Sequence, residues 1–228
     1  MMLLVRLCTA LALCLMMTTP ATAESPMRVL VMGDSFMTSN SSAKKSLPHV
    51  LSGLLRTKVK SRAVAGARHL YALPISGGLG MNISKQYRPG KWDYVVMNGG
   101  GNDLWMGCGC GKCTRQMEKL ISSDGRKGAI PNTIARARRD GAKVIYVGYL
   151  RSPGRGSPIE ACKPLGDKLE ARIAKLAALD SGITFVSLAD MVPFGDASFH
   201  ALDMIHPSPK GSAAAARRVL SIIRPNPS

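Results

Sequence analysis

The chain reads as an α/β protein, a three-layer α/β/α sandwich around a mainly parallel five-stranded sheet. Two observations predict it. Five short runs rich in Val, Ile and Tyr are mostly continuous in apolar character, as in strands covered on both faces. Between them lie segments whose apolar residues recur at helical spacing, and strands alternating with helices favour a parallel sheet.

The strand candidates are Arg28–Met32, Lys58–Ala65, Tyr94–Asn98, Lys143–Leu150 and Thr184–Leu188. The first helical pattern repeats through Leu47, Val50, Leu51, Leu54 and Leu55. Ile130–Arg139 is a second, with Pro131 tolerated in its first turn. Asp167–Leu179 is a third, with Gly182 soon after it as a stop signal. Pro209–Ile223 is the last, ending before Pro225.

The N-terminus stands apart from this pattern. Arg6, the apolar stretch Leu7–Met17 and the run ending Ala21-Thr22-Ala23 read as a secretory signal over 1–23, cleaved after Ala23. The apolar run is too short for a bilayer core of about 30 Å, and Leu13 before Cys14 is bulkier than a lipid-modification site prefers. The remaining 24–228, 228 − 23 = 205 residues, suffice for a single domain with a full core. The Gly- and Pro-rich stretch Arg151–Pro164 is a surface excursion between strong patterns, not a boundary.

Removing the signal lowers the formal charge from +17 to +16, since Arg6 is its one charged residue. Such basicity favours anionic surfaces, here envelope lipids or glycans. Basic residues spread along the chain and scarce aromatics give no stacking platform, so no nucleic-acid partner is expected. Export implies an oxidising compartment, in which Cys108, Cys110, Cys113 and Cys162 form disulfides by default. Three pairings exist. A Cys108–Cys110 bridge is disfavoured by its one-residue spacer; the expectation is two bridges that staple the 105–115 loop and tie it to the 151–164 loop. A zinc site built from the same four thiols is the other reading.

Functional residues are sought where a parallel sheet places them, outside the carboxyl ends of its strands. Ser35 follows the first strand, Gly66 the second and Asn102 the third. Ser35, in Gly33-Asp34-Ser35, would most commonly be a helix cap, but a serine there also sits where backbone N–H groups favour an oxyanion. Gly99-Gly100-Gly101-Asn102-Asp103 does not fit a phosphate loop: Gly111-Lys112 is followed by Cys113, and Met106 stands in place of the first glycine. Gly77-Gly78-Leu79-Gly80 follows no clear strand and lacks dinucleotide spacing. A glycine-rich loop carrying Asn102 is instead suited to aim a carboxamide N–H at a reacting carbonyl oxygen.

Asp203-Met204-Ile205-His206 completes the set, because so short a spacing lets the carboxylate orient the imidazole. A serine hydroxyl needs such a base to act as a nucleophile. Of the other histidines, His49 falls in an apolar helix and reads as packing, His69 has no acid close by, and His200, near Asp196, is the reserve base.

These segments resemble the four motif blocks of the SGNH (GDSL-type) hydrolase family, in order and across nearly the whole chain after the signal. Gly33-Asp34-Ser35 matches the first block, with Phe36 in place of the usual Leu, and Gly100-Gly101-Asn102-Asp103 and Asp203–His206 match the third and last. Gly66, in Ala63-Val64-Ala65-Gly66, holds the glycine block without the Asn that often precedes it.

The resemblance implies a flavodoxin-like fold and no metal or cofactor. It implies Ser35 as nucleophile, His206 as general base and then acid, Asp203 as the orienting carboxylate, and Ser35, Gly66 and Asn102 as the oxyanion hole. The expectation is an exported serine esterase cleaving acyl or O-acetyl esters of a small molecule, lipid or glycan through acyl-Ser35. Leu104, Trp105 and Met106 are candidates to line an acyl pocket. The alternatives are an O-acyltransferase on envelope glycans and a non-catalytic glycan-binding protein on an esterase scaffold. Oligomeric state is not read from the chain.

Overall fold

A computed structural model describes residues 26–154 and 156–224; the expected signal segment 1–23 lies outside the described residues. Strands β1 (Val29–Met32), β2 (Val59–Ser61), β3 (Tyr94–Met97), β4 (Lys143–Val147) and β5 (Ile183–Val186) form one sheet in the order β2-β1-β3-β4-β5. Every pairing is parallel, and Val29 stands between Val59 and Tyr94 in register. The helices are α1 (Ser35–Thr38), α2 (Leu47–Leu55), α3 (Pro74–Ser76), α4 (Gly101–Cys108), α5 (Thr114–Leu120), α6 (Ala129–Arg139), α7 (Lys163–Ala177) and α8 (Pro209–Ile223).

Alternation along each strand sends neighbouring side chains to opposite faces. Leu30, Met32, Val95, Met97, Val144 and Tyr146 meet residues of α5, α6 and α7, among them Met117, Ile134 and Ile173. Val29, Val31, Val96, Ile145 and Val147 face the other way, onto Leu47, Leu51 and Leu55 of α2 and Ala215, Ala216 and Val219 of α8. These are the three expected layers. Both faces are dry, which is why the central strands read as unbroken apolar runs.

Strand β2 departs from the expectation. It is three residues long instead of running from Lys58 to Ala65, and its side chains are half-buried or exposed. It is an edge, and Lys58, Lys60 and Arg62 place charge along it, which discourages pairing with another chain. Strands β4 and β5 stop at Val147 and Val186, short of the expected Leu150 and Leu188, because the chain turns there into site loops. Four helices, α1, α3, α4 and α5, escaped the sequence reading. The expected 105–115 loop begins inside α4, which is ended by Gly109 at φ 61, and runs into the start of α5. His49 is exposed on α2 and bonded at 2.6 Å to Ser46 Oγ, so it is not a packing residue.

The four cysteines among the described residues are paired. Cys108–Cys113 closes the end of α4, and Cys110–Cys162 ties it to the start of α7. This is the expected staple and tie, and it leaves none of these four thiols free for the zinc site of the other reading.

Leu51 is fully buried in the α2 layer. Leu51→Ala should lower the unfolding free energy by about 2–5 kcal/mol in urea titration, from lost transfer energy and the cavity left behind.

Candidate active site

The loop leaving β1 is built around a buried carboxylate. Gly33 takes φ 140, and a Cβ there would collide with Asn98 Oδ1. Its N–H donates to Gln86 Oε1 at 2.7 Å, and Gln86 Nε2 donates back to Gly33 O at 2.9 Å. Asp34, buried, then caps α1 by accepting from Phe36 N at 3.0 Å. Its carboxylate also accepts from Asn98 Nδ2 at 2.9 Å and Tyr149 Oη at 2.6 Å, while its own N–H donates to Asn98 Oδ1 at 3.1 Å.

Burial pushes the Asp34 carboxyl up from its ordinary value, and the bonds from Tyr149, Phe36 and Asn98 oppose that rise. Burial also holds the Tyr149 phenol well above its usual range, so it stays a donor. Ser35 is placed directly after this anchored residue.

Asn102 is in the first turn of α4, after Gly99 and Gly100 at φ 151 and 91. Its Nδ2 donates to Ala67 O at 3.1 Å. Asp103, buried, accepts from His69 N at 2.9 Å and Leu70 N at 2.8 Å. The Asn-Asp pair therefore grips the loop after β2 from one helix turn. Burial drives the Asp103 carboxyl up to about 6 against those two bonds.

Gly66 lies in that loop at φ 75, one residue before the carbonyl that holds Asn102, but it does not line the cleft described below. His69 packs against Gly99, and burial drives its imidazole down to about 3.

Met204, at φ 56, turns the chain between Asp203 and His206. Asp203 Oδ1 accepts from Ile205 N at 2.9 Å and His206 N at 3.0 Å, and Oδ2 meets His206 Nδ1 at 2.6 Å. Partial burial pushes the Asp203 carboxyl up, but the His206 side chain and the two backbone N–H groups outweigh it and hold it at about 2. Asn40, just beyond α1, donates to Pro207 O at 3.0 Å, joining the Ser35 segment to the His206 segment.

Ser35, Asn102 and His206 line one cleft of about 950 Å³, its open mouth included. Asp203 stands behind His206, outside the lining. Phe36, Leu104, Trp105, Leu150, Ile159 and Ile205 make much of the wall. Met106 does not; it is half exposed on the outer side of α4. His200 is in the wall, but its expected partner Asp196 is bonded to Ser198 and Lys210 instead. Arg151, also in the wall, is held by Asp167 and by the buried Glu170, each at 2.7 Å. Among the described residues no group of three or more His, Cys, Asp and Glu could hold a metal ion.

Sequence reasoning missed Asn98, Gln86 and Tyr149, and gave Asp34 no role. A polar Asn98 ending an apolar strand was the one visible signal; Tyr149 sits 115 residues from its partner.

A family model for the GDSL-like lipase/acylhydrolase family matches residues 31–214. The chain belongs to that family. Among solved structures, a provisionally assigned SGNH hydrolase from Slackia heliotrinireducens is 26% identical, with TM-score 0.57 over 87% of this chain and 100% of that one. TesA is 20% identical, with TM-score 0.57 over 87% of this chain and 99% of that one. A family two carbohydrate esterase from Clostridium thermocellum, in complex with cellohexaose, is 16% identical, with TM-score 0.59 over 87% of this GDSL-like chain but 63% of the other. No curated protein sequence matches the chain.

Tyr149→Phe leaves one buried Asp34 oxygen unpaired and should cost about 1–3 kcal/mol in urea unfolding. Asp203 is depressed in the native state, so its contribution is present above the ordinary carboxylate value and lost as pH falls from about 4 towards about 2. Unfolding midpoints measured across that range should fall less steeply for Asp203→Asn than for the parent chain.

Proposed function

We propose that this chain is an exported serine esterase that hydrolyses carboxylic esters through an acyl-Ser35 intermediate. The observation that carries the proposal is the shared cleft of Ser35, Asn102 and His206, with His206 Nδ1 held 2.6 Å from a carboxylate that stays ionised. With Nδ1–H donated to Asp203, Nε2 is the basic nitrogen, and it takes the Ser35 proton as Oγ bonds to the ester carbonyl carbon.

Gly66 lies outside the cleft lining, so the oxyanion that forms is met by the Ser35 N–H group and by the Asn102 carboxamide. Its orientation is set beforehand by Ala67 O, which avoids reorganisation during the reaction. Collapse breaks the bond to the alcohol oxygen, which leaves with the proton from His206. Water then attacks acyl-Ser35, giving its proton to His206, and the carboxylic acid departs with the serine regenerated.

The apolar wall from Phe36 to Ile205 fits the acyl part of the ester. The fold likeness to carbohydrate esterases favours a second reading, removal of O-acetyl groups from a glycan, using the same steps. Two disulfides fit an oxidising compartment, which supports export. No helix among the described residues is long and apolar enough to cross a membrane.

The test is hydrolysis of p-nitrophenyl butyrate. Ser35→Ala should lower kcat/KM by more than about 10³-fold, and Asn102→Ala should lower kcat by about 10²–10³-fold. Parent-like rates in Ser35→Ala would refute the proposal.

A further inference from the structure

Between the loop that Asn102 grips and the start of β3, the chain pushes apolar side chains into water. Leu73, Ile75 and Leu79 are 63%, 81% and 78% exposed on α3 and the wide helical turn Gly77–Met81 that continues it. Ile75 and Leu79 are four residues apart on this turn, a spacing that puts side chains on one helical face. Gly80, at φ 112, ends the turn, and Gln86 Nε2 holds its carbonyl at 2.8 Å. The protrusion is therefore a built turn, anchored to the same glutamine that pins Gly33. Exposure of three large aliphatic side chains within seven residues has no role in the core.

The stretch of sequence that carries it has one sign of charge. From residue 35 to residue 92 the chain has ten Lys and Arg and no Asp or Glu. Arg68 lies over the Tyr71 ring at 5.1 Å, and Lys85 Nζ is within 4 Å of where a side chain at Gly77 would begin. Lys58, Lys60 and Arg62 run along the β2 edge from which this segment departs. Aliphatic side chains that protrude singly from a segment rich in cations suit an interface of anionic headgroups over acyl chains.

We propose that the turn Leu73–Leu79 and the basic margin around it dock this chain on an anionic lipid bilayer. The turn is joined to the cleft, since Arg68 N donates to Met81 O at 2.9 Å and the intervening Ala67 carbonyl holds Asn102. Docking brings the Ser35 cleft to the lipid surface, and the substrate class is then an acyl ester of a membrane lipid. That substrate assignment rests on the esterase reading; the docking does not.

Binding is measured on the Ser35→Ala chain by co-sedimentation with vesicles, so catalysis plays no part. Phosphatidylglycerol vesicles should carry the protein down, phosphatidylcholine vesicles at least about 10-fold less, and 0.5 M NaCl should weaken the binding. The triple variant Leu73→Ser, Ile75→Ser, Leu79→Ser should lose about 10-fold or more in partitioning. In the Ser35 background that triple variant should keep its parent rate on p-nitrophenyl butyrate, which also reports correct folding.

Equal sedimentation of triple variant and parent, or equal binding to the two lipids, overturns the docking. So does loss of parent self-association in the triple variant with vesicle binding unchanged, which marks the turn as a contact between copies. Inactive parent enzyme with lipid binding intact overturns the esterase reading alone.

Discussion

Asp34 is a carboxylate taken out of water at the end of β1, and the geometry of the site depends on how it is paid for. An ionised carboxyl in such a place is costly unless hydrogen bonds replace its hydration. Here the replacements come from three separate elements: Phe36 N on α1, Asn98 at the end of β3 and Tyr149 after β4. Phe36 N and Asn98 share one carboxylate oxygen and Tyr149 serves the other, so the three strand ends are held in a single arrangement. Ser35 inherits its position from that arrangement.

The same economy extends outward. Tyr149 Oη accepts from Gly101 N at 3.2 Å, which sets the residue before Asn102. Glu170 of α7 accepts from Tyr149 N at 2.9 Å and pairs with Arg151, so the helix layer fixes the loop after β4. On the other side Asp103 holds the 69–70 backbone, and Asn102 holds Ala67. The last component, Asp203–His206, stands more exposed and is organised locally by its own turn. Asn40 and the α8 packing tie it back to the first strand. A rigid buried half thus faces a more solvent-exposed half across the cleft.

Much of this was legible along the chain. Central strands buried on both faces have to be apolar throughout, and α2 and α8 have to repeat at helical spacing, so the layers could be read without coordinates. Ser35, Asn102 and Asp203–His206 were readable because each sits in a short segment where a few neighbours state the chemistry. What escaped was set by distance. Strand β2 looked long because apolar Ala63, Val64 and Ala65 continue it, yet its register with β1 ends at Ser61, and beyond it Arg62 N and Val64 N donate to Val31 O and Gly33 O as the chain turns away. Helix α4 was hidden by glycines at both ends that read as a loop. His49 looked like core because its neighbours are apolar, but its position on the helix points it to water.

By itself, then, the sequence determined the layers and the family, and pointed to Ser35, Asn102, Asp203 and His206 as candidate site residues, since periodicity and short motifs are local properties. Tertiary structure decided which groups share the cleft. It put Phe36 and Ile159 together in one wall, left Met106 and Gly66 outside it, and gave Asp196 to Lys210 instead of His200. It also decided that Leu73, Ile75 and Leu79 stay in water. No local pattern carries that information, because burial is a property of what packs against a residue from elsewhere in the chain.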